Sequence, residues 1–147
     1  MGQQQLLLVI LVTILVGIAT VVAINVFGTA ADQANRDAVR QDLLAAAAQA
    51  QAIYARPQMM GGAGGDFGFL DESDLLGRLN IPGALGDVEG EADQSQITNE
   101  NGVYTIAVTR GGDGIRITAV PTSDTEDIAL EVYRENSIWN FDWDDEV

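Results

Sequence analysis

The chain opens with a long, uninterrupted hydrophobic stretch. Residues 6–24 read LLLVILVTILVGIATVVAI, and the first charged side chain of the whole chain is Asp32. An α-helix rises about 1.5 Å per residue, so this stretch is long enough to cross the roughly 30 Å hydrocarbon core of a bilayer. With Gly17 but no proline in the stretch, we expect an unbroken helix or a mild bend near that glycine.

The helical pattern continues past the hydrophobic stretch. Residues 25–55 contain no proline, and Pro57 disfavours helix in the residue before it. When residues 25–55 are placed on a helix at about 100° per residue, the apolar side chains that are expected to pack on a sheet fall on one side. These residues are Val39, Leu43, Ala46, Ala47, Ala50, Ile53 and Tyr54. We predict a single helix of about fifty residues that ends before Pro57.

Small residues line the opposite side of the second helix half: Ala34, Ala38, Ala45, Ala48 and Ala52. A solvated helix face normally carries Lys, Glu or Arg. Two explanations are open. The alanines allow another helix to approach closely, or they only raise the helix propensity of the segment.

The middle of the chain, residues 56–95, is predicted as a loop region. A glycine-rich connector occupies residues 61–65. Residues 71–79 are predicted as a short helix with acids at its N-terminal end. Residues 84–95 are polar and acidic, and we expect them to form a loop.

From residue 96 onward the hydrophobic period changes to two, which is typical of strands. The Arg-Gly-Gly-Asp-Gly sequence at 110–114 predicts a hairpin. The predicted strands are residues 96–98, 103–109, 115–120, 128–134 and 137–141. Sequential hairpins favour an up-and-down antiparallel sheet of roughly three to five strands over residues 96–141, followed by an acidic C-terminal tail.

These elements predict an α+β fold, in which a long N-terminal hydrophobic α-helix packs its second half on a C-terminal antiparallel β-sheet. The predicted organisation is a hydrophobic helix at 1–31 and a globular domain at 32–147. Residues 32–55 form the helical half of that domain.

Composition excludes several kinds of chemistry. The chain has no cysteine and no histidine, so it lacks thiol nucleophiles, disulfides and the commonest general base. The net charge is −15 and all seven basic residues are arginine, which excludes the clustered cations that bind nucleic acid. No Gly-x-Ser-x-Gly element is present, and no carboxylate pair differs from a solvated surface. We expect a protein that is not an enzyme.

The acidic, lysine-free surface has two explanations. It keeps an exported protein soluble by self-repulsion, or it adapts the protein to concentrated salt, where the Debye length falls to about 3 Å at 1 M and carboxylates stop repelling one another. On the second explanation, the free energy of unfolding is expected to rise across a salt series. Stability that is unchanged in molar salt would contradict adaptation to salt.

The start of the chain and the order of its elements resemble the type IV pilin family, which includes the pseudopilins of type II secretion. Mature chains of that family begin with a hydrophobic residue, followed by an uncharged stretch interrupted only by Glu at the fifth position. Here Met1 stands first, Gln5 replaces that Glu, and the apolar run begins at Leu6. Residues 34–54 resemble the amphipathic helix half of a major pseudopilin. The chain departs from the family in lacking a cysteine pair and a proline near position 22.

The resemblance implies a structural subunit of an extracellular, type IV pilus-like filament. The subunit would cross the cytoplasmic membrane once, lose a basic leader to prepilin peptidase, and join a homopolymer through the pilus assembly machinery. Its N-terminal helices would then pack in the filament core. The expected assembly residues are Met1, Gln5, Leu6, Leu7, Ile10, Ile14, Gly17, Val21, Ile24, Ala45, Ala48 and Ala52.

Other interpretations of the chain's function and ligands stay open. The resemblance also implies calcium in a loop of the sheet domain, for which Asp124, Glu126 and Asp127 are the candidate ligands, although the spacing of an EF-hand is absent. Within the family, the alternative function is a major pseudopilin of a type II secretion system. From a different class, the alternative is an exported binding module that stays anchored in the membrane and never polymerises.

Overall fold

A single helix, α1, spans Gly2–Ala55 and is continuous over its 54 residues. The computed structural model describes residues 2–88, 91–123 and 126–145, without the side chains of 91–93 and 145. The helix is unbroken at Gly17, and its end before Arg56 confirms the predicted boundary. Backbone groups of the next loop satisfy its last carbonyls, because the amides of Ala63 and Gly65 donate to Ile53 O and Tyr54 O, each at 2.9 Å.

The chain divides into two compact units, Met1–Ala34 and Asn35–Val147. In the first unit the large apolar side chains are exposed. The second unit contains the hydrophobic core. The expected division at 31/32 stays a prediction.

A six-stranded antiparallel sheet follows α1, with its strands in sequential order. The strands are β1 (Ala84–Val88), β2 (Glu91–Thr98), β3 (Gly102–Thr109), β4 (Gly114–Pro121), β5 (Ile128–Glu135) and β6 (Ile138–Asp145). A short helix, α2, spans Glu72–Arg78. The fold is α+β, as predicted, and the hairpin between β3 and β4 is confirmed by pairs from Gly102↔Pro121 to Thr109↔Gly114.

Two boundaries of the predicted sheet are wrong. Residues 84–95, expected as an acidic loop, contain β1 and most of β2. Glycine and acidic residues are depleted in strands, so the sequence of this segment resembles a loop. β1 is the outermost strand, and residues 91–95 of β2 have no pair on β3 among the described residues, so one side of the ladder is open to water there. At the other end, β6 extends to Asp145, through part of the predicted acidic tail. Trp139, Phe141 and Trp143 alternate there with polar residues at the period of a strand.

The core lies between the second half of α1 and one face of the sheet. The seven predicted stripe residues are the buried residues of α1: Val39, Leu43, Ala46, Ala47, Ala50, Ile53 and Tyr54. They join Tyr104, Ile117 and Leu130 of the sheet in one cluster. Burying a large aliphatic side chain contributes about 1.5–3 kcal/mol, so this stripe holds the helix on the sheet.

The register of β5 and β6 decides which residues share the helix-covered face. Leu130 pairs with Trp143, Val132 with Phe141, and Arg134 with Trp139. Residues directly opposite in an antiparallel pair project to the same face. The three aromatic residues of β6 therefore share the face that carries Leu130 and Val132, whereas Asp142, opposite Glu131, lies on the other face.

Candidate functional site

The hydrophobic first half of α1 is the largest exposed apolar surface among the described residues. None of its most hydrophobic window is buried, and α1 is the one helix of the described chain long and apolar enough to cross a membrane. Its large apolar side chains are exposed, from Leu6 to Phe27. Exposed apolar surface of this extent is not stable in water, and it indicates contact with lipid or protein.

The expected assembly residues of this half fall on that surface. Met1 lies outside the described residues. Those that are described as exposed are Gln5, Leu6, Leu7, Ile10, Ile14, Gly17, Val21 and Ile24. A Cβ built on Gly17 meets no atom within 4 Å, so the backbone is open to close approach at that position.

Threonine hydroxyls inside the apolar half are satisfied by the helix itself. Thr13 Oγ1 donates to Ile10 O, and Thr20 Oγ1 donates to Val16 O, both at 2.8 Å. A hydroxyl bonded back to the preceding turn carries no unmet donor into an apolar medium. These two threonines therefore do not oppose burial of the helix in lipid or in protein.

The alanine strip of the second helix half lies on the surface of the globular unit. Ala45, Ala48 and Ala52 are exposed, and Leu44 beside them is half exposed. The structure places these three expected assembly residues opposite the core stripe. Both explanations of the strip, close approach of another helix and a higher helix propensity, stay predictions.

Polar contacts that the sequence did not reveal attach α1 to the sheet. Asp42 Oδ2 accepts hydrogen bonds from Tyr104 Oη at 2.7 Å and from Asn101 Nδ2 at 3.0 Å. Asn99 Oδ1 accepts from the backbone amides of Asn101 and Gly102, which fixes the turn between β2 and β3. Further along the helix, Tyr54 Oη donates to Asp113 Oδ1 at 3.1 Å. Two tyrosine–aspartate pairs therefore link the helix and the sheet.

Both tyrosines hold their protons more tightly than usual. Burial raises the pKa of Tyr104 above its ordinary value, and the hydrogen bond to Asp42 raises it further because an ionised phenol would face a carboxylate. Burial likewise raises the pKa of Tyr54, with the hydrogen bond to Asp113 as the second cause. Each pair is stable only while its phenol is neutral.

The raised pKa values predict a loss of stability at alkaline pH. Above about pH 10 the tyrosines of the unfolded chain ionise while those of the folded chain stay protonated, so the folded state binds more protons. The free energy of unfolding is therefore expected to be constant with respect to these groups below pH 10 and to fall as the pH rises above it. Urea denaturation between pH 9 and 11.5 measures this fall. Tyr104→Phe should make it less steep, and an equal slope in that variant would contradict the assignment.

The predicted calcium ligands are not gathered into a site among the described residues. Glu126 Oε2 lies 3.2 Å from Arg36 Nη1, in an ion pair that joins the segment before β5 to α1. Asp127 is exposed, and Asp124 lies outside the described residues. No group of three or more acidic side chains that could hold a metal ion occurs in the described ranges. Calcium stays an expectation of the resemblance alone.

No family model, curated protein or solved structure matches this chain. The site is therefore judged on its own geometry: an exposed apolar helix half, and a globular unit whose helix is attached to the sheet by an apolar stripe and two polar pairs. Sequence periodicity found the stripe. The partners of Asp42 and Tyr54 lie about sixty residues away along the chain, and no local pattern points to them.

Proposed function

We propose that this chain is the structural, non-enzymatic subunit of an extracellular, type IV pilus-like helical filament that polymerises through its N-terminal helix. The observation that carries the proposal is the apolar half of α1, which has no charged side chain before Asp32 and no buried residue in its most hydrophobic window. In this proposal the helix crosses the cytoplasmic membrane once before assembly and lies in the filament core afterwards.

The apolar half requires an apolar environment, and only two are open to it. In lipid, the helix satisfies its backbone groups internally and is stable as a single span. Outside the membrane, copies of the same helix offer an equally apolar surface. Helices in such a bundle associate through close packing at small residues, for which Gly17, Ala19 and Ala23 are available. A membrane-anchored module uses only the first environment, whereas a filament subunit uses both in turn.

Assembly would bring the N-terminal ammonium group into the apolar core, where an unpaired charge is costly. Gln5, which replaces the family's Glu, offers a neutral carbonyl acceptor in place of a carboxylate. A hydrogen bond to a charged donor contributes about 1.5–3 kcal/mol. We therefore expect Gln5→Leu to reduce the number of filaments, counted by electron microscopy, relative to Gln3→Leu as the control. Normal assembly of the Gln5→Leu variant would show that Gln5 has no such role.

Electron microscopy of material sheared from the cell surface, together with N-terminal sequencing of its subunit, tests the proposed function. Long uniform fibres whose subunit begins at Met1 are the expected result. Short fibres formed only when the chain is overproduced would favour the pseudopilin alternative. Monomer confined to the membrane fraction would overturn the filament and leave an anchored binding module.

A further inference from the structure

One arginine of this chain differs from the other six. Within the described residues, the other guanidinium groups each have an acidic or aromatic partner, in the pairs Arg36–Glu126, Arg40–Asp37, Arg78–Asp74, Arg110–Glu131, Arg116–Asp144 and Arg134–Tyr54. Arg56, at the end of α1, is exposed and has none of these contacts there. In a chain with 22 acidic residues, a cation left without an acid among the described residues is available to an acid of another molecule.

Exposed thioethers lie beside this arginine. Met59 is 99% exposed and Met60 is 71% exposed. Together with Arg56 and Pro57 they form what we call the loop surface, residues 56–60. It borders a shallow depression of about 370 Å³ that is lined by Ala55, Pro57, Gln58, Met59 and Gly64.

The loop surface is held in one conformation by its own backbone. The Gly64 amide donates to Arg56 O at 2.9 Å, and the Gly62 amide donates to Pro57 O at 3.1 Å. A Cβ on Gly62 would overlap the Arg56 carbonyl, so only glycine allows this close approach. A surface fixed before contact loses little conformational entropy when a partner binds.

A surface of complementary chemistry lies on β6, an outermost strand of the sheet. Phe141 is 47% exposed and Trp143 is 37% exposed, although both share the helix-covered face with buried Val132 and Leu130. Asp142, between them in sequence, projects to the other face of the sheet, where it is exposed and has no hydrogen bond or ion pair within the described residues. We call Phe141, Asp142 and Trp143 the aromatic edge. It offers two rings on one face of this outermost strand and a carboxylate on the other, where the loop surface offers two thioethers and a guanidinium.

We propose that the loop surface of one copy docks on the aromatic edge of a second copy, as a contact between the globular units of neighbouring subunits. The partner is a second copy because the loop surface and the aromatic edge are chemically complementary. Thioether sulfur packs favourably on the aromatic rings on one face of β6, Arg56 reaches around the outer edge of the strand to Asp142 on the other face, and the depression beside Met59 receives a ring. The two surfaces differ, so the contact is head-to-tail, and in the proposed filament it continues from copy to copy in an open series. The inference thus rests on the proposed filament and names a second contact within it.

Cysteine cross-linking tests this contact, because the natural chain has no cysteine. Full-length Met59→Cys and Phe141→Cys chains are co-expressed in the native cells, and the sheared or membrane material is treated with a short bis-maleimide. Each chain carries one thiol, so a Met59→Cys chain joined to a Phe141→Cys chain is intermolecular by design. The matched control replaces Phe141→Cys with Leu85→Cys, since Leu85 is 54% exposed on the opposite edge strand, β1.

We expect at least tenfold more mixed dimer with Phe141→Cys than with Leu85→Cys. Fibres with equal yields from the two pairs would overturn the docking contact and leave the proposed function intact. Mixed dimers without fibres would support the contact between copies and overturn the filament. Absence of both fibres and mixed dimers would overturn the two proposals together.

A charge exchange provides an independent readout that does not depend on the cross-linker. Arg56→Asp and Asp142→Arg should each lower the temperature at which fibres release monomer, and the double variant should recover most of that loss. The two single substitutions replace exposed side chains without partners in the described chain, so the free energy of unfolding of each monomer should be unchanged. Single variants with normal fibre stability would overturn the ion pair between copies.

Discussion

Replacing Ile14 with aspartate is expected to abolish filaments. Ile14 lies in the middle of the apolar half of α1, and its side chain is exposed there. A carboxylate at the centre of a spanning helix costs about 2.5–3.5 kcal/mol on insertion scales. Each subunit would bring this cost into a shared core, and every 1.4 kcal/mol changes an association constant about tenfold. Fibre number should therefore fall about a hundredfold by electron microscopy, with less of the chain in the membrane fraction.

Leu85→Asp is the matched control for this loss. Leu85 is also an exposed aliphatic residue, but it lies on β1 of the globular unit. The same change there removes an exposed leucine without entering the apolar helix, so filaments should persist. If Ile14→Asp chains form fibres at the normal number, the apolar half is not the core of the polymer and the proposed function is wrong.

Local periodicity predicted the parts of this fold that repeat along one element. The stripe from Val39 to Tyr54 follows the helical period, and all seven of its residues are buried. Alternation likewise predicted β3, β4 and β5, and Arg-Gly-Gly-Asp-Gly marked the turn between the first two. These residues were predictable because burial of one face imposes a regular spacing on the sequence.

Residues at the edges of the sheet were harder to predict. β1 carries Gly86 and Asp87, which are poor strand formers, and it is stabilised by pairing with β2 rather than by its own sequence. The acids of β6 resembled a solvated tail, although Trp139 packs at 5.1 Å against the Tyr54 ring in an edge-to-face contact. An edge strand keeps one side in water, so its composition resembles that of a loop.

The polar part of the candidate site was not predictable from the sequence. Asp42 was one acid among 22, and only the fold shows that Tyr104 and Asn101 surround its carboxylate. Arg56 was likewise one arginine among seven until the partners of the other six were known. Long-range partners depend on tertiary contacts, and these leave no regular spacing in a single sequence.

Replacing Leu43 with alanine is expected to lower the free energy of unfolding by about 2–5 kcal/mol. Leu43 is fully buried in the stripe that joins α1 to the sheet. The substitution removes apolar contacts and leaves a cavity that the surrounding helix and strands can close only in part. The measurement is urea denaturation of the full chain in detergent micelles, followed by tryptophan fluorescence. Trp139 contributes to this signal, and it lies beside Tyr54 of the same helix.

The neighbouring residue provides the control, because Leu44 is 50% exposed on the other side of the helix. Leu44→Ala should change the free energy of unfolding by no more than about 0.5 kcal/mol, as is usual for surface positions. Equal losses in the two variants would contradict the assignment of one helix face to the core. If Leu44→Ala unfolds normally but forms fewer filaments, the exposed face of α1, with Ala45, Ala48 and Ala52, contacts another subunit and does more than favour helix.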